Sequence, residues 1–254
     1  MQALGTSSAG LALGSAALPL GCSRAASDAD KQVLLVGDNI ALANTQYGKV
    51  RGYQLRGIYY FLGMPYGADT SGPNRFMPPQ KPKPWTDVYP ALWWGNSAPQ
   101  NMENRYANKY GSFRDHWNYD DVSEDCLRIN VFTPAINDGK KRPVMFWIHG
   151  GGYTNGNGIE QDGYDGENLS RKGDIVFVSI NHRLGPIGFS DLSGVGGEKY
   201  KDSGNVGALD MVAALEWVKE NITYFGGDPA NVTIMGQSGG GAKVCVLAAM
   251  PAAK

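Results

Sequence analysis

The sequence predicts an α/β chain with a central, mostly parallel sheet and helices on both faces. Three observations carry this. Compact apolar runs ("LRINVFTP", "PVMFWIHG", "DIVFVSINHRLG" and "NVTIMG") are short and bounded by turns, as strands buried on both faces are. A long segment with helical apolar spacing separates the third run from the fourth. The fourth run passes directly into a glycine-rich helix start, and strands alternating with helices are the pattern of a parallel sheet.

Taken in order, the first thirty residues, "MQALGTSSAGLALGSAALPLGCSRAASDAD", are small, apolar and uncharged until Arg24. This is the composition of an export signal without its basic start, so an upstream start codon or a plain disordered tail are both open. Residues 9–20 are too few and too glycine-rich to span a bilayer. "LPLGC" is a loose match to a lipid-attachment site at Cys22, with proline where leucine is preferred. The expectation is therefore an exported chain, periplasmic or extracellular, with residues 1–30 outside the fold and the fold running through 31–254.

From Val33 the pattern becomes a strand meander, "TQYGKVRGYQLRGIYYFLGMPYG", alternating around glycines. "NRFMPPQKPKPWTDVYPALWWGNSAPQ" follows. Its prolines exclude helix interior and central strand, which leaves an ordered loop. About two dozen irregular residues lead to the first three buried strands. In "GNVGALDMVAALEWVKENITYFGG", Leu209, Val212, Leu215 and Val218 mark an apolar helix face, and Gly226 with Gly227 stop it. The last strand and a helix from Gly239 to Met250 complete the pattern.

Composition narrows the function classes. The chain has 254 residues, 42% of them hydrophobic, and a formal charge of −1, as one large domain or two smaller ones would. Near-neutral charge argues against nucleic acid as a partner. The 35 glycines sit in turn-like clusters with no period, which suggests tight turns and backbone held close to a ligand. Three cysteines and three scattered histidines match neither a disulfide framework nor a metal site.

"GQSGG" is a G-x-S-x-G pentapeptide, weak alone but strong between a strand and a helix of small residues. Such a turn strains the backbone of Ser238, permits no side chain at Gly236 or Gly240, and lifts the hydroxyl to the carboxyl end of the sheet. The alternative is a capping serine at a helix start. "WIHGGGYTNG" adds three consecutive glycines after a buried strand, more than a turn needs. Backbone N–H groups there could face a tetrahedral oxyanion, each donor contributing roughly 3 kcal/mol to the transition state.

With these motifs, and with "GKVRGY", "FLGMPYG", "NRFMPPQKPKPW", "SEDCLRINVFTP" and "VSINHRLGPIGF", the chain resembles the type-B carboxylesterases. That family includes the cholinesterases and para-nitrobenzyl esterases and has the α/β-hydrolase fold. The likeness runs from about Gln46 to Met250. It implies Ser238 as nucleophile and an oxyanion hole from the N–H groups of Gly151, Gly152 and Gly239. It implies no cofactor, and a small carboxylic ester as substrate. Gln237 stands where the family usually has glutamate, and Gly239 where it has alanine, which is expected only to loosen the turn. Arg75 and Glu124 sit where the family has a buried arginine–carboxylate pair, which would tie the N-terminal layer to the sheet. Cys126 lacks its family partner and is expected to be a free buried thiol, and Cys245 a small core residue. Trp117 lies near the spacing of a pocket-lining tryptophan. The sequons at Asn168, Asn221 and Asn231 look structural.

One component has no counterpart. In this fold the acid and the histidine follow the serine, yet "GGGAKVCVLAAMPAAK" contains neither. His116, His149 and His182 precede Ser238 and are expected to be structural. The expectation is the N-terminal half of a carboxylic-ester hydrolase, cut after the nucleophile turn. An inactive relative used for binding, and a different acyl transfer such as peptide or thioester cleavage, are the alternatives.

Overall fold

The computed structural model describes residues 33–101 and 121–253. Trp117, His116 and Cys22 lie outside the described residues. In chain order the strands are β1 (Leu34–Leu35), β2 (Leu42–Thr45), β3 (Gly48–Arg51), β4 (Tyr53–Leu55), β5 (Ile58–Pro65), β6 (Tyr89–Pro90), β7 (Arg128–Thr133), β8 (Arg142–Ile148), β9 (Val176–Ile180) and β10 (Gly227–Gly236). The α-helices are α1 (Glu167–Gly173), α2 (Gly185–Phe189), α3 (Ser193–Gly196), α4 (Val206–Asn221) and α5 (Gly239–Ala249).

The main sheet runs β1-β4-β5-β7-β9-β8-β10, and β2-β3-β6 form a small second sheet. The half that follows the strand–helix rhythm is parallel: β9 with β8, and β8 with β10. The meander strands join the other half antiparallel, through β4–β5, β5–β7 and β7–β9. β4 and β5 are joined by a short turn, which allows only an antiparallel pair, whereas the β8-to-β9 and β9-to-β10 connections are long enough to cross over. The proline-rich stretch is mainly irregular and contributes only β6 and a short 3-10 turn at Gly72–Asn74.

Alternation along the strands separates two cores, one on each face of the sheet. Val144, Phe146 and Ile148 of β8 join Val176, Val178 and Ile180 of β9 beneath Met211, Val212, Trp217 and Val218 of α4. Trp147, Phe132, Phe177 and Tyr60 pack on the other face with Tyr164. Here Ser170 of α1 donates to the Phe132 carbonyl at 3.1 Å. Each fully buried large apolar side chain contributes roughly 1.5–3 kcal/mol.

α4 buries more than the four-residue face expected from spacing. Val212 and Val218 are buried, Leu209 and Leu215 only partly, and Ala208, Met211, Ala214 and Trp217 complete the face. Its C-terminal turn ends at Gly226 in the left-handed region (φ 78), whose N–H caps Ile222 and Thr223. α5 buries Gly240, Lys243 and Leu247, a stripe at helical spacing. Cys245 lies on the opposite face and is exposed, not a core residue as expected, since two residues turn a helix by about 200°. Cys126 is a buried free thiol, as the resemblance implied. Asn221 is fully buried and donates to the Trp217 carbonyl, whereas Asn168 and Asn231 are exposed. Among the described residues no helix is long and apolar enough to cross a membrane.

Candidate active site

β8 and β10 are parallel neighbours with Ile148 opposite Gly236 at their carboxyl ends. Both chains leave the sheet within a residue of that pair. The 149–152 loop and the 237–239 turn therefore emerge side by side, at the end of the sheet where open α/β folds hold ligands.

Close backbone approach explains the glycines. A Cβ at Gly240 would lie 2.1 Å from the Ile148 carbonyl oxygen, and one at Gly236 would lie 2.5 Å from the Gly240 carbonyl carbon. Neither position tolerates a side chain, the requirement inferred from the pentapeptide. Ser238 sits between them, exposed, at φ 55 and ψ −121. A non-glycine residue held there stores about 1–3 kcal/mol of strain.

The glycine loop faces this turn. Gly151 and Gly152 have φ 81 and 63. A Cβ at Gly151 would fall 2.3 Å from the Asn155 carbonyl oxygen, while nothing lies within 4 Å of one at Gly152. Space and backbone shape both select glycine at 151, and backbone shape alone selects it at 152. Across the gap, a Cβ at Gly150 would lie 2.7 Å from the Gln237 Oε1 and 3.6 Å from the Ser238 Cβ. One at Gly239 would lie 2.4 Å from the Gly152 Cα. Glycine at 239 thus lets the Gly152 backbone close onto the turn, which is more than the loosening expected from sequence.

The loop is pinned from behind. The His149 ring donates from Nδ1 to the Gly150 carbonyl at 2.9 Å, and the Asn155 N–H donates to the Gly151 carbonyl at 3.1 Å. Because a peptide unit is planar, with its C=O and N–H on opposite sides, each held carbonyl also orients the next residue's N–H. The structure therefore brings Ser238, Gly239, Gly151 and Gly152 into one small region, an arrangement able to hold an oxyanion.

Beneath the loop lies a buried polar cluster. His149 and His182 are fully buried and stack with ring centroids 4.9 Å apart, 14° from parallel. His182 donates from Nδ1 to the Arg183 carbonyl at 2.8 Å. Burial first, then the nearby Lys243 and His149, holds its pKa well below the usual value. Lys243 is also fully buried, and its Nζ donates to the His149 carbonyl at 3.3 Å. Burial lowers the Lys243 pKa to about 8, against an opposing pull from Glu160. Sequence reasoning passed over this lysine, although a charge in the middle of "GGGAKVCVLAA" was a signal that it would need partners.

Next to the cluster, Arg183 and Asp210 form a buried bidentate pair at 2.9 and 2.6 Å, fixing the loop after β9 to α4. Arg75 and Glu124 also pair, at 2.7 and 2.6 Å, but with the arginine side chain 46% exposed the pair is not buried as the resemblance implied. Cavities of about 380 and 550 Å³ run beside α4, lined by residues such as Leu215, Ile234 and Glu216, and neither touches Ser238. Close backbone contact, not cavity volume, marks the site here.

Comparison with known proteins bears on the family and the fold. A family model described as the carboxylesterase family matches residues 40–254. The chain is 44% identical over 213 residues to the para-nitrobenzyl esterase of Bacillus subtilis (strain 168), covering 84% of this chain and 41% of that protein. It is 40% identical over 213 residues to the phenmedipham hydrolase of Pseudarthrobacter oxydans, covering 84% and 40%. Among solved structures, an esterase from Clostridium hathewayi, described as able to hydrolyze aliphatic aromatic polyesters, superposes with a TM-score of 0.79 at 44% identity. That match covers 87% of this chain and 42% of the other. A Geobacillus stearothermophilus carboxylesterase gives 0.75 at 42% identity, covering 84% and 42%. The chain spans about two fifths of the length of these relatives.

Proposed function

Since the chain belongs to the carboxylesterase family and has its α/β-hydrolase fold, we propose that it is the N-terminal portion of a serine carboxylic-ester hydrolase that works through an acyl-enzyme. Ser238 Oγ attacks the ester carbonyl. The N–H groups of Gly151, Gly152 and Gly239 take up the negative charge that develops on its oxygen. The alcohol leaves, and water then releases the acid from the serine. The observation that carries this reading is the strained, exposed Ser238 held against the pinned glycine loop. Fixed donors of this kind act without reorganising as the charge forms.

A serine hydroxyl is a weak nucleophile without a base. His182 is fully buried and its pKa is held low. In this reading the triad's acid and histidine belong to the part of the family domain that these residues do not span. The small, apolar composition of residues 1–30 supports export, with Cys22 as the candidate lipid-bearing residue.

The test is burst kinetics on a p-nitrophenyl alkanoate, using the protein expressed from the complete reading frame. One equivalent of p-nitrophenol should appear before steady turnover. Ser238→Ala should remove the burst and lower kcat by about 10⁴-fold or more. A Ser238→Ala protein that keeps a tenth of the activity would sink the assignment.

A further inference from the structure

Lys243 is a residue that the mechanism above does not use. A lysine is almost never fully buried unless it is paired. Here it lies on the inner face of α5, the helix led by Ser238. Its contacts with the chain around the glycine loop fall on either side of it. Nζ donates to the carbonyl of His149, the residue before the loop, and stands 5.8 Å from the ring centroid of Tyr153, the residue after it. Tyr153 is itself fixed, because its carbonyl accepts from the Gly185 N–H at 2.7 Å and its ring meets Phe189 edge-on.

The carbonyls of Gly150 and Gly151 are held by the His149 ring and the Asn155 N–H. That leaves the 149–150 peptide as the first of three successive planes, and Lys243 is the side chain that holds its carbonyl. A turn of this plane would be passed to Gly150 and on to the Gly151 N–H, since peptide planes share their Cα atoms.

We propose that Lys243 is a positioning residue for ester hydrolysis, clamping the glycine loop at both ends to the helix that carries Ser238. The proposal rests on the serine-esterase reading above. Lys243 does not touch substrate; it acts through the loop's N–H groups. Its lowered pKa of about 8 still leaves an ammonium at neutral pH, the form that donates to His149 and faces the Tyr153 ring. The groups around it are His149, His182, Tyr153 and Glu160.

The experiment compares wild type, Lys243→Met and Lys243→Gln in the protein from the complete reading frame, with Ser238→Ala alongside. Methionine keeps the unbranched shape but cannot donate, whereas glutamine can donate without charge. Misplaced donors should show in the transition state and not in substrate binding. Lys243→Met should lower kcat by about 10- to 100-fold while KM shifts less than about threefold. Affinity for a trifluoromethyl ketone, which the serine holds as a tetrahedral adduct, should fall in parallel with kcat. Lys243→Gln should recover part of both losses. Lys243→Met with kcat and ketone affinity within twofold of wild type, or with kcat lost and ketone affinity kept, would overturn the proposal. So would failure of both variants to fold, which would make the lysine a stability element. Activity surviving in Ser238→Ala would instead overturn the parent reading, so the two failures are told apart.

Discussion

Lys243 and the glycines around Ser238 decide the site at the scale of single residues. The lysine pKa is about 8 in the fold against 10.5 for the free side chain. A depressed lysine pKa means that the unfolded chain binds more protons between these values, so stability rises with pH across that window. The penalty is present in full below about pH 8 and disappears by about pH 10.5, a change of roughly 3 kcal/mol. Lys243→Met lacks this term. Urea unfolding at pH 7 and pH 10 should therefore show wild type gaining on the variant by about 2–3 kcal/mol at the higher pH. Equal differences at the two pH values would contradict the burial argument. The glycines should rank by what a methyl group meets. Gly240→Ala forces a Cβ to within 2.1 Å of a carbonyl oxygen, whereas Gly152→Ala meets nothing and costs only backbone strain. The first should lose about 3 kcal/mol or more and the second about 1–2, by thermal unfolding. The glycine requirement was legible in the sequence at Gly236 and Gly240, where the motif names it. It was not legible at Gly239, because the contact with Gly152 joins two loops far apart in the chain.

Among the elements, strand and helix positions were readable wherever an apolar run had one period and clear ends. β7, β9 and α4 fall inside their predicted runs for that reason, and β8 starts one residue before its run, at Arg142. Two features needed the folded partner. β4 and β5 look like β2 and β3 in pattern, yet the first pair joins the main sheet and the second the small one, a choice set by long-range pairing. The exposure of Cys245 depends on which face of α5 meets the sheet, and the short apolar helix does not reveal that by itself. Ion pairs divide by burial in the same way. Arg183 and Asp210 are 1% and 0% exposed, so Asp210→Ala leaves a buried guanidinium uncompensated and should cost about 3–5 kcal/mol. Glu124→Ala breaks a pair whose arginine is 46% exposed and should cost far less than loss of the buried pair. Denaturant midpoints of the two variants would check that ordering, and a larger loss for Glu124→Ala would contradict it.

On the scale of the whole molecule, the site lies near one end of the main sheet. Among the described residues β10 pairs only with β8, and the 380 Å³ cavity opens beside it between Val232, Ile234 and α4. An apolar strand with one open edge tends to recruit another. A polypeptide of these 254 residues should therefore self-associate in size-exclusion chromatography, and Thr233→Lys, at an exposed position of β10, should reduce that association. The same placement puts Ser238 and the glycine loop at the carboxyl ends of two parallel strands, where the central claim can be tested chemically. That test is to treat the protein from the complete reading frame with a fluorophosphonate and locate the adduct by peptide mass spectrometry. One adduct is expected, on Ser238, formed in step with loss of esterase activity. No adduct, or an adduct elsewhere that tracks the loss, would contradict it.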